Sequence, residues 1–175
     1  TVREDGGTPM TVVCSPLHSD TALYPFIELI HRTLRVRQDD PIALKLERLQ
    51  DILRGLRFPV EDTEDVLTAL LSLKQPFSGA FEKLDSEQRQ QRTFDTIINW
   101  MLEVTTRTPV LLVLEDLQAA DSSTLALIAQ SLDRFDDTPT LLLLVAREEF
   151  QPNWGRRGDI VDMRLRRLDS NEIRA

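Results

Sequence analysis

The chain has 175 residues, 41% of them hydrophobic, and this length and apolar content suit one globular domain with a core. Its 29 acidic residues outnumber 21 basic ones and give a net charge of -8, which argues against nucleic-acid binding as the main role of the segment. The single cysteine, Cys14, excludes a disulfide framework and a cysteine-rich zinc site within one chain.

Neither a membrane span nor a secretion signal is visible in the sequence. No apolar run reaches the roughly 18 residues that a membrane helix needs, and the N-terminus lacks a charged-then-apolar pattern. We therefore expect a cytoplasmic protein without membrane contact. The basic residues Arg164, Arg166 and Arg167 are interpreted as a solvated face rather than a binding patch.

The predicted elements begin with a linker, a strand and a helix. Residues 1–9 have the composition of a linker with a turn at Gly6 and Gly7, and the apolar run at 10–14 has the length of a strand. The next apolar residues recur at helical spacing: Leu23, Phe26, Ile27, Ile30 and Leu34.

Residues 37–84 are interpreted as an inserted helical layer. Two apolar stripes predict helices near 42–56, ending around Gly55, and near 66–71. A loop or hinge is expected at 74–83, where Pro76 and Gly79 interrupt the pattern.

A long helix is expected to start after Asp85. Gln88 stands three residues later, as in a capping box, and Pro109 ends the helical pattern. Its predicted buried stripe consists of Phe94, Ile97, Ile98, Met101 and Leu102.

A strand, helix, strand unit follows at residues 109–147. The apolar runs 110–114 and 140–146 predict strands covered on both faces, and Asp121 caps the helix between them. A crossover of this length implies parallel pairing and an α/β fold with helices on both faces of the sheet. A weaker strand is predicted at 160–163, and a helix is expected to begin at Asp169.

Two strands end in residues suited to phosphoryl chemistry. Ligands of open α/β sheets bind at the carboxyl ends of parallel strands, where Glu115 and Asp116 follow the first strand and Arg147 the second. One carboxylate can hold magnesium while its neighbour orients water, and a guanidinium can contact a terminal phosphate. The alternative for each group is a solvent-exposed or capping role at a strand end.

The stretch PVLLVLEDLQAADSSTLALIAQSL, with TLLLLVAREEF after it, resembles the AAA-superfamily signal-transduction ATPases of the STAND type. The closest resemblance is to the modules found in multidomain bacterial adenylate or guanylate cyclases and large transcriptional regulators. The similarity spans residues 10 to 172 in the expected order. It implies a P-loop NTPase-like parallel sheet and an ATP-binding regulatory module that communicates with other domains of the same protein and self-associates with nucleotide.

The resemblance also implies roles for individual residues. Glu115 and Asp116 take the Walker B places, with both on the magnesium side and Asp116 polarising water, while Arg147 takes the sensor place. ATP and Mg²⁺ are the implied cofactors. The chain departs from the usual family pattern at Gln118, Ala119 and Ser122, and at Glu148 and Glu149 after the arginine.

The glycine-rich Walker A loop is absent, because none of the three lysines follows a glycine. The favoured interpretation is a fragment that starts after this loop and is inactive alone, and the alternative is a degenerate module that serves as a protein-interaction scaffold. In the family, the loop's strand lies beside the strand that ends in Arg147. Its absence is expected to leave the apolar edge 141–145 open and the chain prone to aggregation.

A nucleotide-independent hydrolase that uses Glu115 and Asp116 as an acid/base pair is a third interpretation. Neighbouring side chains of a strand point to opposite faces, so this pair converges only if a turn redirects one of them. His18 and His31 are interpreted as structural or solvated.

Overall fold

The computed structural model describes residues 2, 4, 6–56, 63–73, 81–152, 154 and 160–165. In these residues the fold is mixed α/β. The strands are β1 (Thr8–Val13), β2 (Val110–Glu115) and β3 (Thr140–Leu144). The helices are α1 (Tyr24–Leu34), α2 (Ile42–Arg54), α3 (Thr63–Leu70), α4 (Ser86–Thr105) and α5 (Ser122–Phe135).

The sheet is parallel, and its strands lie in the order β1, β2, β3. Met10 is paired with Leu112, and Leu112 in turn with Leu142. Because facing residues of neighbouring strands point the same way, every second residue of the three strands contributes to one common face. Both strand pairs are parallel, which confirms the predicted parallel pairing.

Both predicted helix caps are confirmed, and each places a helix start where the sequence indicates it. Asp85 accepts a hydrogen bond from the Gln88 backbone, and the Gln88 side chain accepts one from the Asp85 backbone, which completes the capping box of α4. Asp121 accepts from the first-turn N–H groups of α5.

The described helices lie on one face of the sheet, so the expectation of helices on both faces is wrong for this part of the chain. Val12, Leu112 and Leu114 point into the helical layer and are buried. On the opposite face Leu141 is 67% exposed and Leu143 is 41% exposed. The strand order explains this, because two successive right-handed crossovers in the same direction put their helices on the same side.

Helices α2 and α3 contact α1 and α4 and form an outer part of the helical layer. Leu49 of α2 and Leu67 of α3 are buried in the same core as Ile97 and Ile98 of α4. In chain order α2 and α3 lie between the first and second strands, and their origin as an insertion stays a prediction.

Several predicted boundaries differ from the structure. β1 begins at Thr8, inside the expected linker, and β3 ends at Leu144 instead of residue 146. The strand predicted at 160–163 is wrong: residues 160–165 have no strand partner among the described residues, and Val161 is 82% exposed. An extended segment without a neighbouring strand has no ladder to join. The loop at 74–80 and the helix start at Asp169 fall outside the described residues.

The longest described helix, α4, has 20 residues but carries polar and charged side chains along its length. Among the helices that the structure describes, none combines the length and apolarity needed to cross a bilayer.

Candidate functional site

The acidic turn after β2 connects all three strands at their carboxyl ends. Asp116 has φ 56° and ψ 42°, a left-handed conformation, and leads into a short turn at Leu117–Ala119. The Cys14 N–H donates to the Glu115 carbonyl at 3.0 Å, and the Leu117 N–H donates to the Val145 carbonyl at 3.2 Å. Aspartate is one of the few residues besides glycine that adopt this conformation readily.

The left-handed turn gives the two acids different surroundings. Glu115 is the partner of Val13 in the sheet and lies, with Leu111 and Val113, on the face that the described helices leave open. Asp116 has left the strand, and its carboxylate is hydrogen-bonded to Gln118. Both side chains are exposed. Glu115 is the last residue of β2 and Asp116 the first residue of the turn, and the acid/base hydrolase interpretation stays a prediction.

Gln118 brings the predicted residues Asp116 and Arg147 together. Its Nε2 donates to Asp116 Oδ1 at 3.0 Å, and its Oε1 accepts from the Arg147 backbone N–H at 3.1 Å. The sequence indicated Gln118 only as a departure from a family pattern. Its role depends on a contact across 29 residues, which spacing along the chain does not reveal.

Asp121, which follows the acidic turn, accepts hydrogen bonds from two helix starts. Its Oδ1 accepts from the Ser123 and Thr124 N–H groups at 2.9 and 3.0 Å, and its Oδ2 accepts from the Leu23 N–H at 3.3 Å. Leu23 precedes α1 and is itself left-handed, with φ 59°. One carboxylate therefore joins the start of α5 to the start of α1.

Cys14 lies directly behind the acidic turn and is 2% exposed. Burial, followed by the negative charges of Asp121 and Asp116, raises the pKa of its thiol from 9.0 to about 11. A thiol with such a pKa is protonated at neutral pH and is a poor nucleophile or metal ligand.

The histidines lie outside this turn. His18 stacks on Tyr24 with a centroid separation of 3.7 Å, and His31 is buried in α1 with Nδ1 3.6 Å from Glu28 Oε1. Arg164 approaches Glu148 at 3.9 Å with both side chains exposed, consistent with a solvated basic residue. Arg166 and Arg167 fall outside the described residues.

The donor set at the turn suits a hard cation. Within the described ranges, no three or more His, Cys, Asp or Glu side chains form a metal-binding group. Mg²⁺ commonly takes one or two carboxylates and completes its shell with water and phosphate oxygens, so Glu115 and Asp116 fit its chemistry. A depression between α1, α2, α3 and α4 has an apolar lining that includes Leu49, Leu67 and Trp100, and it lies away from the strand ends.

Comparisons of the chain with protein families, with curated proteins and with solved structures gave no match.

Proposed function

We propose that residues 1–175 form the Walker B-containing part of a magnesium-dependent, ATP-binding regulatory ATPase module in a multidomain bacterial signalling protein. The observation that carries the proposal is the placement of Asp116 and Arg147 at the carboxyl ends of neighbouring parallel strands, joined through one side chain. Open α/β sheets bind ligands at the carboxyl ends of their strands, and phosphoryl-transfer sites combine a metal-holding acid with a cationic group near the phosphate.

The assigned roles follow from the chemistry of each side chain. Glu115 and Asp116 supply oxygen ligands on the magnesium side, and Asp116 also orients the attacking water. Arg147 contacts the terminal phosphate and reports its presence. Magnesium bound here would neutralise charge that develops on the phosphoryl oxygens.

The open side of the sheet further supports the proposal. β3 has β2 on one side and no strand partner on the other among the described residues, and the exposed Leu141 and Leu143 extend an apolar face beside it. In the AAA and STAND modules that this sequence resembles, the phosphate-loop strand lies next to this strand. A strand and a helix at that position would cover both the edge and the face.

The test is magnesium-dependent ATP binding and hydrolysis by the full-length protein. Glu115→Gln and Asp116→Asn are each expected to lower turnover by roughly a hundredfold, the loss typical of removing a charge-stabilising group. Glu47→Gln, an exposed acid on α2, is the matched control and should have no effect. Unchanged binding and turnover in both site variants would remove the Walker B assignment.

The 175-residue chain tested alone is expected to bind MgATP weakly or not at all, because it contains no Gly-Lys pair. Isothermal titration calorimetry checks this. Micromolar, magnesium-dependent binding by residues 1–175 would contradict the expectation and show that other groups hold the phosphates.

A non-catalytic interaction scaffold is the second candidate function. The exposed leucines of β3 and the absent Gly-Lys pair favour it. A full-length protein that binds no ATP, yet folds and binds a protein partner through β3, would support this function over the first.

A further inference from the structure

Gln118 is hydrogen-bonded to both Asp116 and Arg147 but has no role in the function proposed above. Backbone pairing between β2 and β3 continues just past the strands, because the Val145 N–H donates to the Leu114 carbonyl at 2.8 Å and the Leu117 N–H to the Val145 carbonyl at 3.2 Å. Beyond Val145 the next rung is made by the Gln118 side chain, which accepts from the Arg147 N–H. The Gln118 side chain thus continues the hydrogen-bond ladder between β2 and β3 as far as Arg147.

The amide of Gln118 is suited to this place because it has one donor end and one acceptor end. The Asp116 carboxylate can only accept, and the Arg147 backbone N–H can only donate. A glutamine satisfies both at once, at 3.0 and 3.1 Å. A hydrocarbon side chain satisfies neither, and a carboxylate satisfies only the N–H.

The two bonds are arranged in series. The Asp116 carboxylate holds the amide in place, and the amide holds the Arg147 backbone at the carboxyl end of β3. The segment after Arg147 is then fixed further by a turn in which the Phe150 N–H donates to the Arg147 carbonyl at 3.0 Å.

We propose that Gln118 is a positioning residue that couples the Asp116 carboxylate to the backbone of Arg147. A change at the carboxylate is transmitted to the arginine segment through the amide. The assignment of a catalytic purpose to this coupling rests on the proposed ATPase function, whereas the coupling itself does not.

Hydrogen exchange of the Arg147 amide in residues 1–175, without nucleotide or metal, tests the coupling. Gln118→Met keeps the length of the side chain and removes both hydrogen bonds, so Arg147 exchange should accelerate roughly fivefold, the factor expected for one net hydrogen bond. Gln118→Glu retains an acceptor for the Arg147 N–H. The Arg147 amide should therefore exchange more slowly in this variant than in Gln118→Met.

Asp116 variants separate coupling from a merely local contact. Asp116→Gly removes the carboxylate without straining the left-handed backbone, and it should accelerate Arg147 exchange although Asp116 does not bond Arg147. Asp116→Asn keeps an acceptor and should not. In the Gln118→Met background, Asp116→Gly should add nothing, since both changes break the same path of hydrogen bonds from residue 116 to Arg147. Glu115→Ala is the neighbouring control and should leave Arg147 unchanged.

Arg147 exchange that does not respond to Gln118→Met would show that the hydrogen bond is not made in solution. A response to Gln118→Met without one to Asp116→Gly would overturn the coupling. Both results are independent of ATP, so failure of the ATPase proposal and failure of this proposal are separable.

Discussion

At the scale of single residues, the carboxyl ends of the strands are held by polar side chains with more than one partner. Asp121 accepts hydrogen bonds from two elements that lie 98 residues apart in sequence. Gln118 similarly joins Asp116 to Arg147. Such residues have local roles that the sequence can predict, such as a cap, and distant roles that it cannot.

Asp121→Ala is expected to lower the free energy of unfolding by about 2 to 3 kcal/mol. The variant loses an N-cap and also leaves the Leu23 N–H without its carboxylate acceptor, and these losses add. Asp85→Ala removes only an exposed cap and should cost about 1 kcal/mol. Urea unfolding followed by circular dichroism provides the comparison.

Asp121→Asn is the conservative control, because asparagine keeps an acceptor for the cap and should recover most of the loss. If Asp121→Ala is no more destabilising than Asp85→Ala, the link to Leu23 contributes no measurable stability.

Cys14 is expected to make stability fall at alkaline pH. Its pKa is raised to about 11 in the fold from an ordinary 9.0. Between these values the unfolded chain releases the thiol proton and the folded chain retains it, so the free energy of unfolding decreases. The contribution is complete below pH 9 and is lost as the pH rises to about 11.

Comparison with Cys14→Ala isolates this contribution from tyrosines and lysines that titrate in the same range. As the pH rises from 9.0 to about 11, the free energy of unfolding of the wild type should fall relative to that of Cys14→Ala. A difference that stays constant would mean that Cys14 ionises equally easily in both states.

At the scale of elements, β3 combines an open edge with an apolar outer face. Pro139 O accepts from the Val110 N–H at 2.9 Å, and the Val145 N–H donates to Leu114, so alternate backbone groups of β3 point toward β2. The intervening groups, at Leu142 and Leu144, point toward the unpaired edge. Edges of this kind promote association between chains.

Leu141→Thr is expected to reduce self-association of the chain without unfolding it. The side chain is 67% exposed, so the change should alter the free energy of unfolding by only about 0.5 kcal/mol. Leu17→Thr makes the same chemical change at an exposed site outside the sheet and is the matched control. Sedimentation velocity measures the self-association of the two variants and of the wild type.

If Leu17→Thr suppresses association as strongly as Leu141→Thr, general surface hydrophobicity rather than β3 is responsible. If neither variant changes the association, the apolar face of β3 does not mediate contacts between chains.

At the scale of the whole molecule, one helical layer encloses the core on one side of a parallel sheet. Ile97 and Ile98 of α4 and Leu127 and Ile128 of α5 are almost completely buried in this layer. The opposite face has no comparable cover among the described residues. Among the described residues the sheet is therefore covered on one face, and Leu141 and Leu143 of β3 are exposed on the other.

The sequence by itself determined the elements whose signals are local. The capping box at Asp85, the cap at Asp121 and the apolar runs of β2 and β3 were predictable because each depends on residues within a few positions. The rule that ligands bind after parallel strands selected the two acids and Arg147 as candidates, and their functional role stays a prediction.

Only the tertiary structure decided which face of the sheet is covered and how the strand ends are joined. An apolar run such as 140–144 has the same composition whether one or both of its faces are buried, so its open face became visible only from the strand order and the exposed leucines. The bridge from Asp116 through Gln118 to Arg147 likewise depends on strand pairing, which brings together residues that are distant along the chain.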